Sequence, residues 1–215
     1  MKWAAVLVLV ACGASSGGIA VDGFDIVVSS TDVAVWAGFT GTVPTNAHFA
    51  APGTCGGTTD AIVIMENCFG GIVLDGTPLP SADSHGPVNP YMAMRAITAD
   101  ATFTATACGN SIEVPLHPHA VPRIATASAT RSGNDIVLAW STDAPYTIAS
   151  MGGGYGQVDC NDAGATQHVF AGWSSGSSFL TAAVRPLSAP EITQTDLGEV
   201  RVWYGDVTPI TVPPP

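Results

Sequence analysis

The sequence predicts an all-β protein built from sandwiched sheets, and three observations lead to that prediction. No stretch after Val21 keeps apolar residues at the 3.6-residue spacing of an amphipathic helix over three turns. Short runs of β-branched and aromatic residues alternate with clusters of Gly, Pro, Asn, Asp and Ser, the pattern of strands separated by turns. The runs recur at the short, regular spacing typical of a sandwich rather than a parallel sheet, with 24 glycines and 16 prolines to supply the turns.

Each candidate strand is an apolar or β-branched run between turn-forming residues. In chain order, the candidates are residues 24–29, 32–36, 48–50, 61–66, 71–74, 93–97, 101–106, 111–114, 124–129, 136–140, 146–149, 157–159, 167–171, 179–184 and 199–204.

The N-terminus has the pattern of an export signal. Lys2 precedes an uncharged apolar run that ends near Ala11, far shorter than the roughly 20 residues of a membrane-spanning helix. Leu9-Val10-Ala11-Cys12 resembles the lipobox of bacterial lipoproteins. The resemblance implies removal of residues 1–11 as a lipoprotein signal peptide, a diacylglycerol thioether on Cys12 and acylation, by palmitate for example, of its new amino group. The alternative is an ordinary signal peptide cleaved near Ala14.

The residues after Cys12 predict how the protein is attached. Gly13 stands where an Asp would, in the best-known sorting scheme, retain a lipoprotein at the inner membrane, so the outer membrane is the expected location. Residues 12–20 are rich in Gly, Ala and Ser, a composition typical of a flexible tether. Several acyl chains on one residue would anchor the protein stably to its membrane.

Composition limits the classes of partner. The chain is 47% hydrophobic and 11% charged, so it can bury a core. Cleavage before Cys12 removes the only lysine and leaves five arginines against 17 acidic residues, a net charge of about −12. A surface this acidic repels nucleic acid, so no nucleic-acid partner is expected.

Four cysteines remain after Cys12, and an even number in an exported protein predicts two disulfides. Of the three possible pairings, Cys55 with Cys68 closes a short loop and is the first choice, which leaves Cys108 to pair with Cys160. Zinc binding is the rival interpretation. It is disfavoured because no Cys-x-x-Cys spacing occurs and an oxidising compartment favours disulfides.

Three prolines within residues 115–122 predict a semi-rigid connector between two halves. The second half resembles a fibronectin type III or related immunoglobulin-like domain through Pro122-Arg123-Ile124, then the run from Gly133 to Trp140, then Ala144-Pro145-Tyr146. That resemblance implies a first strand, a turn and a second strand ending in the core tryptophan, Trp140. The first half resembles the immunoglobulin-like modules of bacterial envelope proteins through Val43-Pro44-Thr45-Asn46-Ala47.

The predicted organisation therefore places two immunoglobulin-like or fibronectin type III-like β-sandwiches behind the lipoprotein signal peptide. The first domain spans 21–116, a linker 117–122, the second domain 123–208 and a Pro-rich tail 209–215. A disulfide from Cys108 to Cys160 would cross this boundary, so either the halves pack tightly or the boundary lies elsewhere.

Motifs that suggest catalysis or calcium binding lack the residues they need. Gly172-Trp173-Ser174-Ser175-Gly176 matches a hydrolase nucleophile motif, but no histidine follows Ser174. The loop around Ser84 and His85 contains no arranged acid or base. The run from Asp159 to Gly164 partly matches a calcium loop, but the fifth position is Ala163 and the twelfth is Phe170, so a disulfide-tied turn is predicted there.

Two residue pairs suggest copper. His117 and His119 flank Pro118, and Met92 and Met94 flank Ala93, so each pair lies on one face of an extended chain. Imidazole and thioether groups are ligands that suit copper. The alternative without metal binding is that the two histidines are solvated residues of the linker and the two methionines pack in the core.

The expected function is that of a non-enzymatic cell-envelope lipoprotein without a cofactor, whose loops contact a protein or glycan. A periplasmic copper-binding protein is the alternative, and a secreted serine hydrolase is the least favoured class.

Overall fold

The computed structural model describes residues 20–40, 55–57, 69–79, 91–107, 109–153, 156–173 and 180–214. These residues form β-strands and no α-helix, as the sequence predicts. None of them forms a helix long and apolar enough to cross a membrane. Cys12, Cys68, His85, Cys108 and Ser174 lie outside the described residues, as do the candidate strands 48–50 and 61–66.

Seventeen strands are present among the described residues. Those of the first half are β1 (Ala20–Val28), β2 (Val33–Thr40), β3 (Cys55–Gly57), β4 (Phe69–Leu74), β5 (Thr77–Pro78), β6 (Tyr91–Ala93), β7 (Ala101–Ala107) and β8 (Asn110–Leu116). Those of the second half are β9 (Thr126–Ser132), β10 (Asp135–Ser141), β11 (Tyr146–Gly153), β12 (Gly156–Ala163), β13 (Gln167–Phe170), β14 (Thr181–Leu187), β15 (Glu191–Thr195), β16 (Gly198–Tyr204) and β17 (Thr208–Ile210).

The strands form four sheets that pack as two sandwiches. The first sandwich consists of the sheets β15-β16-β1-β2-β6 and β5-β4-β7-β8. Its core contains alternate residues of the strands, such as Phe103, Ala105 and Ala107 of β7, because successive side chains of a strand point to opposite faces. Phe24 of one sheet meets Phe103 of the other edge-on, with ring centroids 5.5 Å apart.

The second sandwich consists of the sheets β13-β10-β9 and β17-β14-β11-β12-β3. Its core includes Ile136, Leu138 and Trp140 of β10. The β9–β10 hairpin turns at Gly133, whose φ of +61° favours glycine, and Trp140 is buried. The predicted strand, turn and core tryptophan of this segment are therefore present.

Strand pairing does not follow the predicted boundary between the halves. β15 and β16 come from the predicted second domain, yet β16 pairs in parallel with β1 at the centre of a first-sandwich sheet. Conversely, β3 comes from the predicted first domain and pairs with β12 of the second sandwich. The ranges 21–116 and 123–208 thus each contain strands of both sandwiches. We call β3, β15 and β16 the crossing strands.

Several local predictions also need correction. The strands β3, β5, β15 and β17 were not predicted, and β6 ends at Ala93 where a strand was predicted over 93–97. The Pro-rich tail begins within β17, which pairs with β14, and Val212 packs against the second core. Pro209 is tolerated because β17 is the edge strand of its sheet.

The two sandwiches meet across a third cluster of buried apolar side chains. Its members come from both sandwiches: Val27, Ala34 and Trp203 from the first, Ile148 and Leu187 from the second. Tyr146 approaches Trp203 edge-on with centroids 5.6 Å apart. The outer faces of two sheets, one from each sandwich, therefore cover each other.

Candidate functional site

The described residues bring three sulfur and nitrogen ligand atoms together at the edge of the second sandwich. Cys55 lies on β3, Cys160 on β12 and His168 on β13. In the antiparallel β3–β12 pair Cys55 lies directly opposite Cys160, and a disulfide joins them across 105 residues of sequence. His168 comes from an edge strand of the other sheet, so the cluster lies between the two layers.

Strand alternation explains the direction of these side chains. Cys160 points into the core and is 1% exposed, and Asp162, two residues further along β12, lies on the same face. On β13, His168 and Phe170 face inward, with ring centroids 4.6 Å apart. The side chains of His168 and Asp162 are 19% and 15% exposed, so the cluster is shielded from solvent without being sealed.

The imidazole of His168 lies between a sulfur atom and a carboxylate. Its Nε2 is 3.7 Å from Cys55 Sγ, and its Nδ1 is 2.9 Å from Asp162 Oδ2. Asp162 Oδ2 is buried and accepts no hydrogen bond from the described residues, so its contact with Nδ1 is close without being aligned. A protonated His168 would form an ion pair there.

This arrangement allows two kinds of chemistry: attack of an external thiol on the disulfide and, after reduction, reaction or metal binding by the cysteine thiolates. Cys55 is exposed whereas Cys160 is buried, so an external thiol reaches the sulfur of Cys55 first. After reduction, an imidazole near a thiol favours the thiolate, which is both the nucleophile and the metal-binding form. In the oxidised form both sulfur atoms are occupied by their mutual bond.

The observed disulfide corrects the predicted pairing of Cys55 with Cys68 and of Cys108 with Cys160. The short loop between Cys55 and Cys68 made that pair attractive, but loop-closure entropy rises only slowly with loop length. Pairing follows the register of β3 and β12, which a single sequence does not reveal. The structure does not describe Cys68 or Cys108.

The run from Asp159 to Gly164 is neither a calcium loop nor a turn over most of its length. β12 continues to Ala163, and the turn begins at Gly164, where φ is +67°. Asp159 and Asn161 are buried on the face of β12 opposite Cys160 and Asp162. Side chains on opposite faces of one strand cannot surround a single ion.

The two histidines proposed for copper have separate partners. His117 Nδ1 lies 3.1 Å from Asp100 Oδ1. His119 stacks on Tyr204 with centroids 4.5 Å apart, and its Nδ1 lies 4.0 Å from Glu191 Oε1. Among the His, Cys, Asp and Glu side chains of the described ranges, the group of three with metal-ligand geometry is Cys55, Cys160 and His168.

Met92 and Met94 do not share a surface, contrary to the prediction that they lie on one face. Met92 packs against the cluster between the sandwiches, whereas Met94 is 78% exposed. The difference arises because β6 ends at Ala93, so the alternation of an extended strand does not reach Met94.

A group of partly buried charges from both sandwiches was not predicted from the sequence. Burial lowers the pKa of the Arg185 guanidinium, and the negative charges of Asp32, Asp159 and Asp206 oppose that effect. Asp159 and Arg185 belong to the second sandwich, whereas Asp32 and Asp206 flank strands of the first. The acidic groups of both sandwiches therefore offset part of the desolvation cost of this arginine.

The chain matches no protein-family model, and no curated protein matches it in sequence.

Proposed function

We propose that this protein is a non-enzymatic lipoprotein of the bacterial cell envelope, in which two connected β-sandwiches act as one rigid body that presents loops to a protein or glycan. The observation that carries the proposal is the crossing of strands between the sandwiches. β16 is an interior strand of a first-sandwich sheet, between β15 and β1, although the strands β14 and β17, which precede and follow the β15–β16 pair in sequence, belong to the second. Such connectivity suits a scaffold that holds its loops in fixed relative positions.

The polar groups buried between the sandwiches support a structural role. Arg185 lies among acids of both sandwiches, and Asp25 accepts hydrogen bonds from Arg201 and Trp203. The hydrogen bonds from Arg201 and Trp203 satisfy the buried Asp25 carboxylate. The Cys55–Cys160 disulfide fits an exported protein, because disulfides persist in oxidising compartments.

Lipidation of Cys12 would hold the first sandwich close to the membrane. Eight peptide steps separate Cys12 from Ala20, the first residue of β1. At about 3.3–3.6 Å per residue, the tether spans at most roughly 29 Å. Loops near this end would therefore contact components at the membrane surface, and the net charge disfavours anionic headgroups as the partner.

The anchor is tested by labelling cells that express the full chain with radioactive palmitate. The expected result is label in the wild-type protein and none in Cys12→Ala, with both proteins produced in equal amounts. Cys160→Ala is the matched control, since it removes a different cysteine and should remain labelled. Equal labelling of Cys12→Ala and wild type, or no labelling of either, would overturn the proposal.

A further inference from the structure

We propose that Cys55, Cys160 and His168 form a redox-gated metal site: reduction of the disulfide frees two thiolates that, with the His168 imidazole, bind a d¹⁰ cation of the Zn(II) type. This site goes beyond the envelope function proposed above and does not depend on it. Two thiolates and one imidazole are the protein ligands of a tetrahedral zinc centre whose fourth position holds water.

The distances suit such an ion once the sulfur–sulfur bond is open. The ligand atoms of the three residues lie within 4.8 Å of one another, and His168 Nε2 is 3.7 Å from Cys55 Sγ. Tetrahedral coordination with ordinary Zn–S and Zn–N bond lengths separates neighbouring ligand atoms by about 3.5–3.8 Å. The two sulfur atoms need only rotate apart about their side-chain bonds, while the backbone register of β3 and β12 is kept.

Asp162 supplies the group that usually supports a metal-binding histidine. Its Oδ2 lies 2.9 Å from His168 Nδ1, on the side of the ring away from Cys55. A carboxylate at one ring nitrogen keeps the proton there and leaves the other nitrogen free to bind metal. On metal binding a small rotation of His168 would align the Nδ1–H with Asp162, which would give the buried oxygen its hydrogen bond.

The ligands lie on strands rather than on loops, so the site is preorganised. β3 and β12 are adjacent in one sheet, and β13 belongs to the sheet that faces it. The bound metal would join Cys55 to Cys160 in place of the covalent bond. Both states would therefore hold β3 against β12.

The gating reaction balances with two molecules of a small thiol, or one dithiol, as reductant. The first thiolate attacks Cys55 Sγ, the exposed sulfur, forms a mixed disulfide and releases Cys160 as the thiolate. The second thiolate attacks the reductant's sulfur, forms the oxidised reductant and releases Cys55. Two electrons and two protons pass from the thiols to the cysteines. Zn(II) then displaces both cysteine protons to solvent.

The test measures metal binding by the full chain in two redox states. The protein, oxidised or reduced with a phosphine that contributes no thiol, is titrated with Zn(II) against a chromophoric chelator, and with Co(II), whose thiolate charge-transfer absorption reports sulfur ligands. We expect the reduced protein to bind about one equivalent of Zn(II), and its Co(II) form to show thiolate charge-transfer absorption. We expect the oxidised protein to bind no Zn(II) and to show no such absorption with Co(II). Equal binding in both states would overturn the proposal.

Variants identify the ligands. His168→Gln keeps the disulfide, and hence the fold, before reduction, and should weaken Zn(II) binding at least tenfold. Asp162→Asn should weaken it by about 10–100-fold, the usual effect of losing a carboxylate behind a metal-binding histidine. His119→Gln is the matched histidine control and should bind as wild type.

The other cysteines provide the second control. Cys68→Ser/Cys108→Ser should retain the equivalent of zinc, whereas Cys160→Ser should lose it. Wild-type affinity in His168→Gln, or loss of binding in Cys68→Ser/Cys108→Ser with retention in Cys160→Ser, would contradict the assignment. If Cys160→Ser fails to fold, the comparison of His168→Gln with His119→Gln decides the question.

Discussion

Asp25 lies on the outer face of β1, the face that also carries Val27 of the cluster between the sandwiches, and it is buried. Its Oδ1 accepts a hydrogen bond from Trp203 Nε1 at 3.0 Å, and its Oδ2 accepts one from Arg201 Nη2 at 2.7 Å. Burial raises the pKa of the Asp25 carboxyl above its ordinary value, and the opposing effects of Arg201 and Trp203 do not cancel the increase. The ionised form of Asp25 is therefore disfavoured in the folded protein.

Asp25→Asn should alter how the free energy of unfolding varies with pH more than it alters the free energy of unfolding at pH 7. A carboxyl whose pKa is raised on folding contributes stability that is fully present below its unfolded pKa, about 3.9, and is lost as pH rises through the folded pKa. The unfolding free energy of wild type relative to Asp25→Asn should thus fall as pH rises across that window. At pH 7 the two should differ by less than about 1.5 kcal/mol, since an amide still accepts a hydrogen bond from Trp203.

The measurement is urea unfolding between pH 4 and 8, with Asp196→Asn as control because Asp196 is an exposed acid of the β15–β16 turn. Asp25→Ala should cost about 2–3 kcal/mol, because it removes a buried carboxylate that accepts hydrogen bonds from both Trp203 Nε1 and Arg201 Nη2. A difference between wild type and Asp25→Asn that stays constant with pH would show that the Asp25 pKa is not raised.

Single residues also show what a sequence can predict. The strand over 136–140 was predicted from its local pattern, a glycine turn followed by alternating apolar residues, and the core position of Trp140 was implied by the resemblance to a fibronectin type III-like domain. Asp25 has an equally clear alternating context, between Phe24 and Ile26, but that context predicts a solvent-exposed acid. Asp25 meets Arg201 and Trp203 of β16, more than 170 residues away in sequence, and nothing near Asp25 in sequence carries that information.

At the scale of elements, the backbone at Gly205, just after β16, lies very close to the backbone of β14. A Cβ on Gly205 would overlap the Pro186 carbonyl oxygen and lie 2.8 Å from Leu187 Cδ2. Gly205→Ala should therefore displace β16 from β14 and cost about 3 kcal/mol, at the upper end of the usual cost of overpacking.

Gly133→Ala is the matched control for Gly205→Ala. Gly133 has a φ of +61° and open space where a Cβ would lie, so alanine there should cost only about 1–2 kcal/mol of backbone strain. Thermal and urea unfolding compare the two variants. A smaller loss in Gly205→Ala than in Gly133→Ala would mean that β16 and β14 can separate at low cost.

The register of β4 and β7 bears on the two remaining cysteines. Phe69 lies opposite Ala107, and in the sequence Cys68 precedes Phe69 and Cys108 follows Ala107. We expect these cysteines to form the second disulfide, since each adjoins one member of a directly paired couple of residues, and a disulfide requires a short Cα separation. Peptide mass mapping without reduction should find Cys68 linked to Cys108, and free thiols at both positions would contradict this expectation.

The long strands were predictable and the short ones were not, for a physical reason. β7 and β10 contain enough alternating apolar residues to specify a strand locally. β3 (Cys55–Gly57) and β5 (Thr77–Pro78) have almost no strand-forming residues, and β15 is mostly exposed. Such segments become strands because a neighbouring edge offers hydrogen bonds. The candidate site depends on β3, which is why the sequence did not reveal it.

At the scale of the whole molecule, the crossing strands connect the stability of the two sandwiches. The chain leaves the second sandwich after Leu187, adds β15 and β16 to the first, and returns to the second as β17. The disulfide connects β3 to β12, and the apolar cluster that includes Val27 and Ile148 is shared. Unfolding one sandwich would expose apolar surface of the other, so the two should unfold together.

Leu138→Ala tests this coupling, because Leu138 is fully buried in the second core and makes no contribution to the first. The substitution should cost about 2–5 kcal/mol, and hydrogen exchange should become faster by the same factor in β10 and in β7. Phe103→Ala in the first core is the reciprocal variant and should act equally on β7 and β10. Loss of protection in β10 with full protection in β7 would establish instead that the sandwiches unfold independently, and that the crossing strands connect them without coupling their stability.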